Sequence, residues 1–256
     1  MKLGLGQTLV NSNMSLSTSV TPDQISDLEF WIDGSDTTTI NGGVVGNDDP
    51  IYEWLDKSGN GHHVIQNTFI SQPLWKQSGF GSNSKGYVQM DGINDFMNIP
   101  NNINTDTDMT VIALVKKEIF NGAMQTLHST LGGAYAYGSF GVDVWQRTRV
   151  GFQRIRCSQP PPLEWCAGYD TGEIITTNTA TGLNFESYKN GIQMVTGYAP
   201  VSSVRVDDFD LLCNSSGSSH GRIAEVVMYN RVLSSDERES IRNYLLSKYG
   251  TLTPHS

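Results

Sequence analysis

The sequence predicts an all-β fold, a sandwich or jelly roll of short strands, closed by one C-terminal α-helix. Three observations predict it. Glycine is abundant, at 26 of 256 residues, and only 17% of residues are charged. With many Asn, Ser and Thr, that is the make-up of short strands joined by many turns. Roughly ten short segments alternate or run apolar, and only one late segment has helical periodicity. No repeat of fixed period is visible. The length suits one large all-β domain or two small ones.

In chain order, residues 1–22 are polar and turn-rich without a sustained period, and read as an arm, disordered or ordered only against a partner. Thr21-Pro22-Asp23 marks its end, with a short helical turn expected around Thr21 to Gln24. Residues 23–256 form the jelly-roll domain. Residues 28–33 alternate: Leu28, Phe30 and Ile32 on one side, Glu29, Trp31 and Asp33 on the other. This predicts a half-buried strand. Residues 52–55 give a second short strand, running into the turn cluster Asp56-Lys57-Ser58-Gly59-Asn60-Gly61-His62-His63. Residues 87–91 and 95–99 are strands joined by Gly92-Ile93-Asn94.

Residues 109–115 are nearly continuous in apolar character and predict a central strand. Residues 140–146 alternate, with Asp143 and Trp145 on one face, and a partner strand starts at Val150 and Phe152. Asn190-Gly191 predicts a hairpin between residues 184–189 and 193–195, since both central residues must take positive φ. Residues 204–212 precede a polar loop. The chain is then organised around residues 221–250. Apolar residues nearly fill 222–230, with Glu225 the one internal charge, so this strand is expected to be buried over most of its length. Ser234 and Glu237 have capping-box spacing, Ile241, Leu245 and Tyr249 make one stripe, and Gly250 is expected as a left-handed cap.

The net charge of -9 argues against a nucleic-acid binder, which needs a basic face, and against docking on an anionic membrane. The first twenty residues do not read as a secretory signal, because Lys2 is their only basic residue and Gly, Gln, Asn and Ser interrupt the apolar ones. The three cysteines, Cys157, Cys166 and Cys213, are too few for a disulfide scaffold. Cys157 and Cys166 flank a short loop and are either bridged across its base or reduced.

Six pieces carry a resemblance: FWIDGSD (30–36), YEWLDKSGNGHHVIQ (52–66), QPLW (72–75), VQMDGINDFMNI (88–99), SYKNGIQM (187–194) and the segment 221–250. Together they resemble the concanavalin A-like, laminin-G-like jelly-roll superfamily, and are most similar to its modules in bacterial surface proteins and phage virion proteins. The resemblance covers residues 28–250 and implies two antiparallel sheets packed face to face. One fold hosts many functions, so activity must be argued from a site.

No catalytic residue is expected. Glycosidases of this superfamily carry paired acids as E-x-D-x-x-E, which is absent here, and one acid alone cannot both protonate a leaving oxygen and supply the attack. The cluster Asp207, Asp208 and Asp210 reads as a solvated strand end. No C-x-x-C pair or H-E-x-x-H is present. His62 and His63 point to opposite sides of any strand and do not share a metal. Asp56, Asn60, Asp91 and Asp95 are hard oxygen ligands that suit calcium, but no dense D-x-D-x-D-G run exists and structural turns are favoured, so no cofactor is expected.

Given the resemblance, sugar binding is the more plausible chemistry. Lectins lay an aromatic ring on a pyranose face and surround it with Asn, Asp and Gly donors. The candidates are Trp145 with Asp143, Trp165, Tyr169 and Trp75, with Tyr135 and Tyr137 behind them. Two readings follow. One is a non-enzymatic structural protein of a tailed-phage virion, a capsid decoration, head fibre or tail-associated subunit. It would join other virion subunits through residues 1–22, form a homo-oligomer (a trimer or dimer), and display a domain that binds cell-surface glycans weakly. The alternative is a stand-alone carbohydrate-binding module of a bacterial surface protein, extracellular or on the cell surface.

Overall fold

The final strand runs through the centre of the larger sheet. The computed structural model describes residues 20–100, 103, 108–117, 124–129, 140–144, 148–152, 172–181, 184–198, 209–211, 213–214, 217–218 and 220–254. The strands are β1 (Leu28–Asp33), β2 (Glu53–Trp54), β3 (Val64–Ile65), β4 (Leu74–Phe80), β5 (Lys85–Asp91), β6 (Met97–Ile99), β7 (Asp108–Lys117), β8 (Met124–Ser129) and β9 (Phe140–Val144). They continue as β10 (Thr148–Phe152), β11 (Glu173–Thr181), β12 (Asn184–Lys189), β13 (Ile192–Tyr198), β14 (Phe209–Leu211), β15 (Cys213–Asn214), β16 (Gly217–Ser218) and β17 (His220–Tyr229), before helix α1 (Ser235–Tyr249).

Among the described residues the larger sheet has the order β13-β12-β11-β7-β17-β5-β4, with β1 also on β17. The smaller has the order β10-β9-β8-β14-β6-β3-β2. All these pairings are antiparallel, so the fold is the two-sheet sandwich with one C-terminal helix that the sequence predicts. β17 is long enough to serve two neighbours on one edge. Its first residues, from His220 to Ile223, pair with β5, and those from Glu225 to Tyr229 pair with β1. A register shift against β7 falls between Ile223 and Glu225.

Two apolar layers explain the strand patterns. Ile223, Val226 and Met228 of β17 join Phe30, Ile32, Val111, Ala113, Trp54 and Trp75 between the sheets. Ala224, Val227 and Tyr229 face the other way, under Ile241, Tyr244, Leu245 and Tyr249 of α1. β17 is therefore buried on both faces, as its near-continuous apolar run requires. The half-buried expectation for β1 is corrected by the same layer: Trp31 and Asp33 lie beneath α1 and are buried along with Phe30 and Ile32.

The helix begins as its sequence dictates. The Ser234 side chain accepts from the Glu237 amide, and the Glu237 carboxylate accepts from the Ser234 amide. Its end departs from expectation. Gly250 has φ 78° and ψ -153°, a positive-φ region open essentially to glycine alone, and not the left-handed helical cap. The chain then turns along β11: the Glu173 amide donates to the Thr253 carbonyl at 2.8 Å, and the Thr253 amide donates to the Glu173 carboxylate at 2.7 Å. At the start of the described chain, Pro22 is buried and its carbonyl accepts from the Tyr229 hydroxyl at 2.9 Å, so the folded body reaches back to this point. The Asn190-Gly191 hairpin forms between β12 and β13, with φ 51° and 83°.

Candidate functional site

Of the five residues proposed to meet a sugar, two are placed. Asp143 lies on β9, opposite Arg149 of β10 in the ladder, one strand in from an edge of the smaller sheet. Trp145 follows the end of β9 and, with Trp165, Tyr169, Tyr135 and Tyr137, lies outside the described residues, as do Cys157 and Cys166. Trp75 does not serve. It is 4% exposed on β4 and belongs to the inter-sheet core, where its indole Nε1 donates to the Gly34 carbonyl at 2.8 Å. A ring so enclosed by core residues and backbone has no free face for a pyranose. Tyr52 and Phe69 carry exposed rings, 50% and 72% accessible.

Phe69 stands on a loop that is internally braced. Gln66 is buried, its amide nitrogen donating to the Phe96 carbonyl and its oxygen accepting from the Thr68 amide. The Asn94 side chain donates to the Ile70 carbonyl, tying this loop to the turn after β5. Ile70 and Ile93, one on each of these two loops, are exposed as well. The Gln66 amide donates to the Tyr52 carbonyl, which brings the other ring beside the same edge of the smaller sheet. Tyr52 reads as the head of a short strand and Phe69 lies in no periodic segment, so neither ring stands out in the sequence. The signal available was a Phe-Ile pair inside a polar loop.

The four oxygen ligands weighed for calcium hold two separate turns. Asp56 accepts from the amides of Trp31, Ser58 and His62 and from the Ser58 hydroxyl. Asn60 donates to the carbonyls of Leu28 and Glu29. His62 Nε2 meets Glu29 at 3.1 Å, whereas His63 Nδ1 accepts from the Asp56 amide, so the adjacent histidines diverge. In the other turn Asp91 accepts from the amides of Ile93 and Asn94, and Asp95 accepts from the Asp91 amide. Burial, reinforced by neighbouring Asp91, pushes the Asp95 carboxyl up to about 6. Among the described residues no group of three or more His, Cys, Asp or Glu is placed to hold a metal ion. Of the acidic cluster, Asp210 is the member described, at the middle of β14 between His128 and Asn98 of its neighbours; Asp207 and Asp208 lie outside the described residues.

The densest charged constellation lies under α1. Asp33 and Glu225 are directly opposite each other in the β1–β17 ladder, an arrangement that repels unless a cation intervenes. Lys248 intervenes, with Nζ 2.6 Å from Asp33 and 2.7 Å from Glu225. Lys57 adds contacts of 2.9 Å to Asp33 and 2.7 Å to Asp36, and stands 4.3 Å from the centre of the Trp31 ring. Glu225 also accepts from Trp31 Nε1 at 2.7 Å and from the hydroxyls of Tyr244 and Tyr249 at 2.9 and 3.1 Å. Burial alone would raise the Asp33 carboxyl, but Lys248 and Lys57 outweigh it and hold it below the usual range. Burial and the Asp33 charge push Glu225 upward. Two carboxylates beside two tyrosines would suit acid–base chemistry in a cleft. Here Glu225 has no exposed side-chain surface, and its oxygens are engaged by four donors. The cluster is a joint between helix and sheet.

No protein-family model matches the sequence, and a search of curated proteins finds no match. Solved structures do match. Domain 4 of AbnA, a GH43 extracellular arabinanase from Geobacillus stearothermophilus solved in complex with arabinotriose, superposes with a TM-score of 0.58 at 13% identity, over 85% of this chain and 98% of that one. The binding domain of Paraclostridial Mosquitocidal Protein 1 gives 0.53 at 14% identity, over 87% of this chain and 53% of that one. Trypanosoma rangeli sialidase gives 0.52 at 12% identity, over 88% of this chain. The chain spans 33% of that sialidase's length. At such identities the likeness is one of fold, and the fold is the β-sandwich.

Proposed function

We propose that this chain is a non-enzymatic, lectin-like module that binds glycans. The observation that carries the reading is the match, over nearly the whole of the smaller protein, to an arabinanase domain holding arabinotriose. Residues in and beside the smaller sheet fit that chemistry: Asp143 at one end, Tyr52 and Phe69 at the other, and Trp145 follows Asp143 two residues on in the sequence. Against catalysis stand the missing paired-acid motif and the consumption of Asp33 and Glu225 by structural partners. The wider setting belongs to the same proposal. The chain is a homo-oligomeric, outward-facing subunit of a tailed-phage virion, joined to other subunits through residues 1–22. That setting is supported by the resemblance to phage virion modules and by the acidic, Gly-rich composition. The alternative remains a stand-alone module of a bacterial surface protein.

Titration with soluble glycans tests the site. Trp145→Ala is expected to weaken binding by tenfold or more while circular dichroism is unchanged, and Asp143→Ala to act in the same direction. If Phe69→Ala abolishes binding and Trp145→Ala does not, the site moves to the other end of the sheet. If neither matters, both assignments fail. Mass spectrometry of density-banded particles tests the setting: co-banding with a major capsid protein in fixed ratio supports it, and absence from the band overturns it.

A further inference from the structure

We infer that Lys248 and Asp33 condense, once the chain has folded, into an amide bond that ties α1 to β1, with Glu225 carrying the protons. The inference does not depend on what the module binds. A buried lysine is a nucleophile once its amine is neutral, and a neutral carboxyl beside it is the matching electrophile. Holding the two in contact turns a bimolecular condensation into a unimolecular one and removes much of its barrier. Lys248 Nζ lies 2.6 Å from Asp33 Oδ2 and 2.7 Å from Glu225 Oε2, and it also donates to the Tyr244 hydroxyl oxygen at 3.2 Å. The Tyr244 and Tyr249 ring centres stand 5.5 and 5.2 Å from the same nitrogen. Side-chain exposure is 0% at Glu225, 5% at Asp33 and 18% at Lys248. Such enclosure favours the neutral amine and acid over the ion pair and keeps bulk water from the bond once formed.

The two carboxyls have different surroundings, and these assign their roles. Glu225 is held on both oxygens: Oε1 accepts from Trp31 Nε1 and the Tyr244 hydroxyl, and Oε2 accepts from the Tyr249 hydroxyl as well as from Lys248. Fixed in this way it serves to move protons. Asp33 is held on one side only by neutral donors. Its Oδ1 accepts from the Ser35 amide at 3.0 Å and the Ser35 hydroxyl at 2.8 Å, while Oδ2 faces Lys248 and, at 2.9 Å, Lys57. Oδ1 is therefore the oxygen that stays, with two donors placed for the charge of a tetrahedral intermediate, and Oδ2 is the one that leaves. The step balances without a co-reactant. The Lys248 ammonium passes one proton to Oδ2, which leaves an amine and a carboxylic acid. The amine lone pair then forms the Nζ–Cγ bond. Burial and the Asp33 charge raise the Glu225 carboxyl, so it acts as an acid: it gives a proton to Oδ2 and takes one from the nitrogen. The Cγ–Oδ2 bond breaks, the oxygen departs as water, and Glu225 ends as it began. Burial opposes ionised Asp33, but Lys248 and Lys57 outweigh it, so the neutral pair is a minor population and the bond forms slowly after folding.

The test is intact-mass spectrometry of the full chain, purified and then incubated at neutral pH, followed by protease digestion. The wild type is expected to become lighter than its sequence by one water, in a fraction that grows with time, and to yield one branched peptide joining Asp33 to Lys248. Asp33→Asn is expected to lose ammonia in place of water. Lys248→Arg keeps the positive charge and is expected to hold its full mass. Glu225→Gln, checked for folding by circular dichroism, is expected to hold its full mass as well. An incubated, folded wild type that keeps its full mass overturns the inference whatever the variants do. So does a water loss whose digest leaves Asp33 and Lys248 in separate peptides, as a cyclic imide at Asp33-Gly34 would. A Glu225→Gln chain that cross-links at the wild-type rate overturns the role given to Glu225.

Discussion

Lys248 is the residue on which the helix-sheet joint turns. Its ammonium separates two carboxylates that the ladder sets face to face. Lys248→Met removes the shared partner and leaves buried charge uncompensated, so a loss of about 3–5 kcal/mol is expected from urea denaturation. Lys57→Met, whose partner Asp36 is closer to solvent, is expected to cost less. Asp95 gives a separate pH signature. Its folded carboxyl holds a proton up to about 6, above its unfolded value, so the native state binds the proton more tightly. Its contribution is fully present below the unfolded value and is lost as pH rises toward and through 6. Asp95→Asn is expected to flatten that part of the profile in urea midpoints measured from pH 4 to 7. Little of this residue-scale design was legible beforehand. A lone glutamate inside an apolar strand marked Glu225, but its partners come from β1 and α1, and only the register brings Asp33 and Lys248 to it. Trp75 read as a platform because sequence does not tell an exposed indole from one donating to a core carbonyl.

At the scale of elements, the close of the chain was the most legible part. The apolar strand, the capping box and the apolar helix stripe are local patterns, and each forms as its spacing dictates. The Asn190-Gly191 turn was legible for the same reason. β11 was not, because EIITTNTAT reads as polar although threonine is β-branched and suits a buried strand; Thr176, Thr177 and Thr179 are all buried. β4 was missed because Lys76, Gln77 and Gly79 interrupt its apolar positions, and a register shift falls between Lys76 and Phe80. The landing of α1 depends on two glycines. A methyl group on Gly81 would lie 2.1 Å from the Tyr249 carbonyl oxygen, and one on Gly250 2.2 Å from Ser82 Oγ. Gly81→Ala forces the backbone apart and is expected to cost about 2 kcal/mol or more, read as a lowered Tm with early loss of helical signal. Ser234→Ala, which removes the capping hydroxyl and its bond to the Glu237 carboxylate, is expected to cost about 1 kcal/mol.

The whole molecule is a sandwich with unequal ends. On the β4 and β2 side, loops seal both sheets and carry Phe69 and Tyr52 outward. On the β13 and β10 side both sheets end together among the described residues. The fold class was legible because turn chemistry and strand periods pointed to one architecture. The site was less so, because a sugar platform is a surface property that depends on which rings the core leaves outside. The measurement that tests the central claim most directly is a glycan array probed with the purified full chain, with the supernatant assayed for released reducing ends. The account predicts saturable binding to at least one glycan class and no released sugar. Release of reducing ends, or failure to bind any glycan by a folded chain, would contradict it.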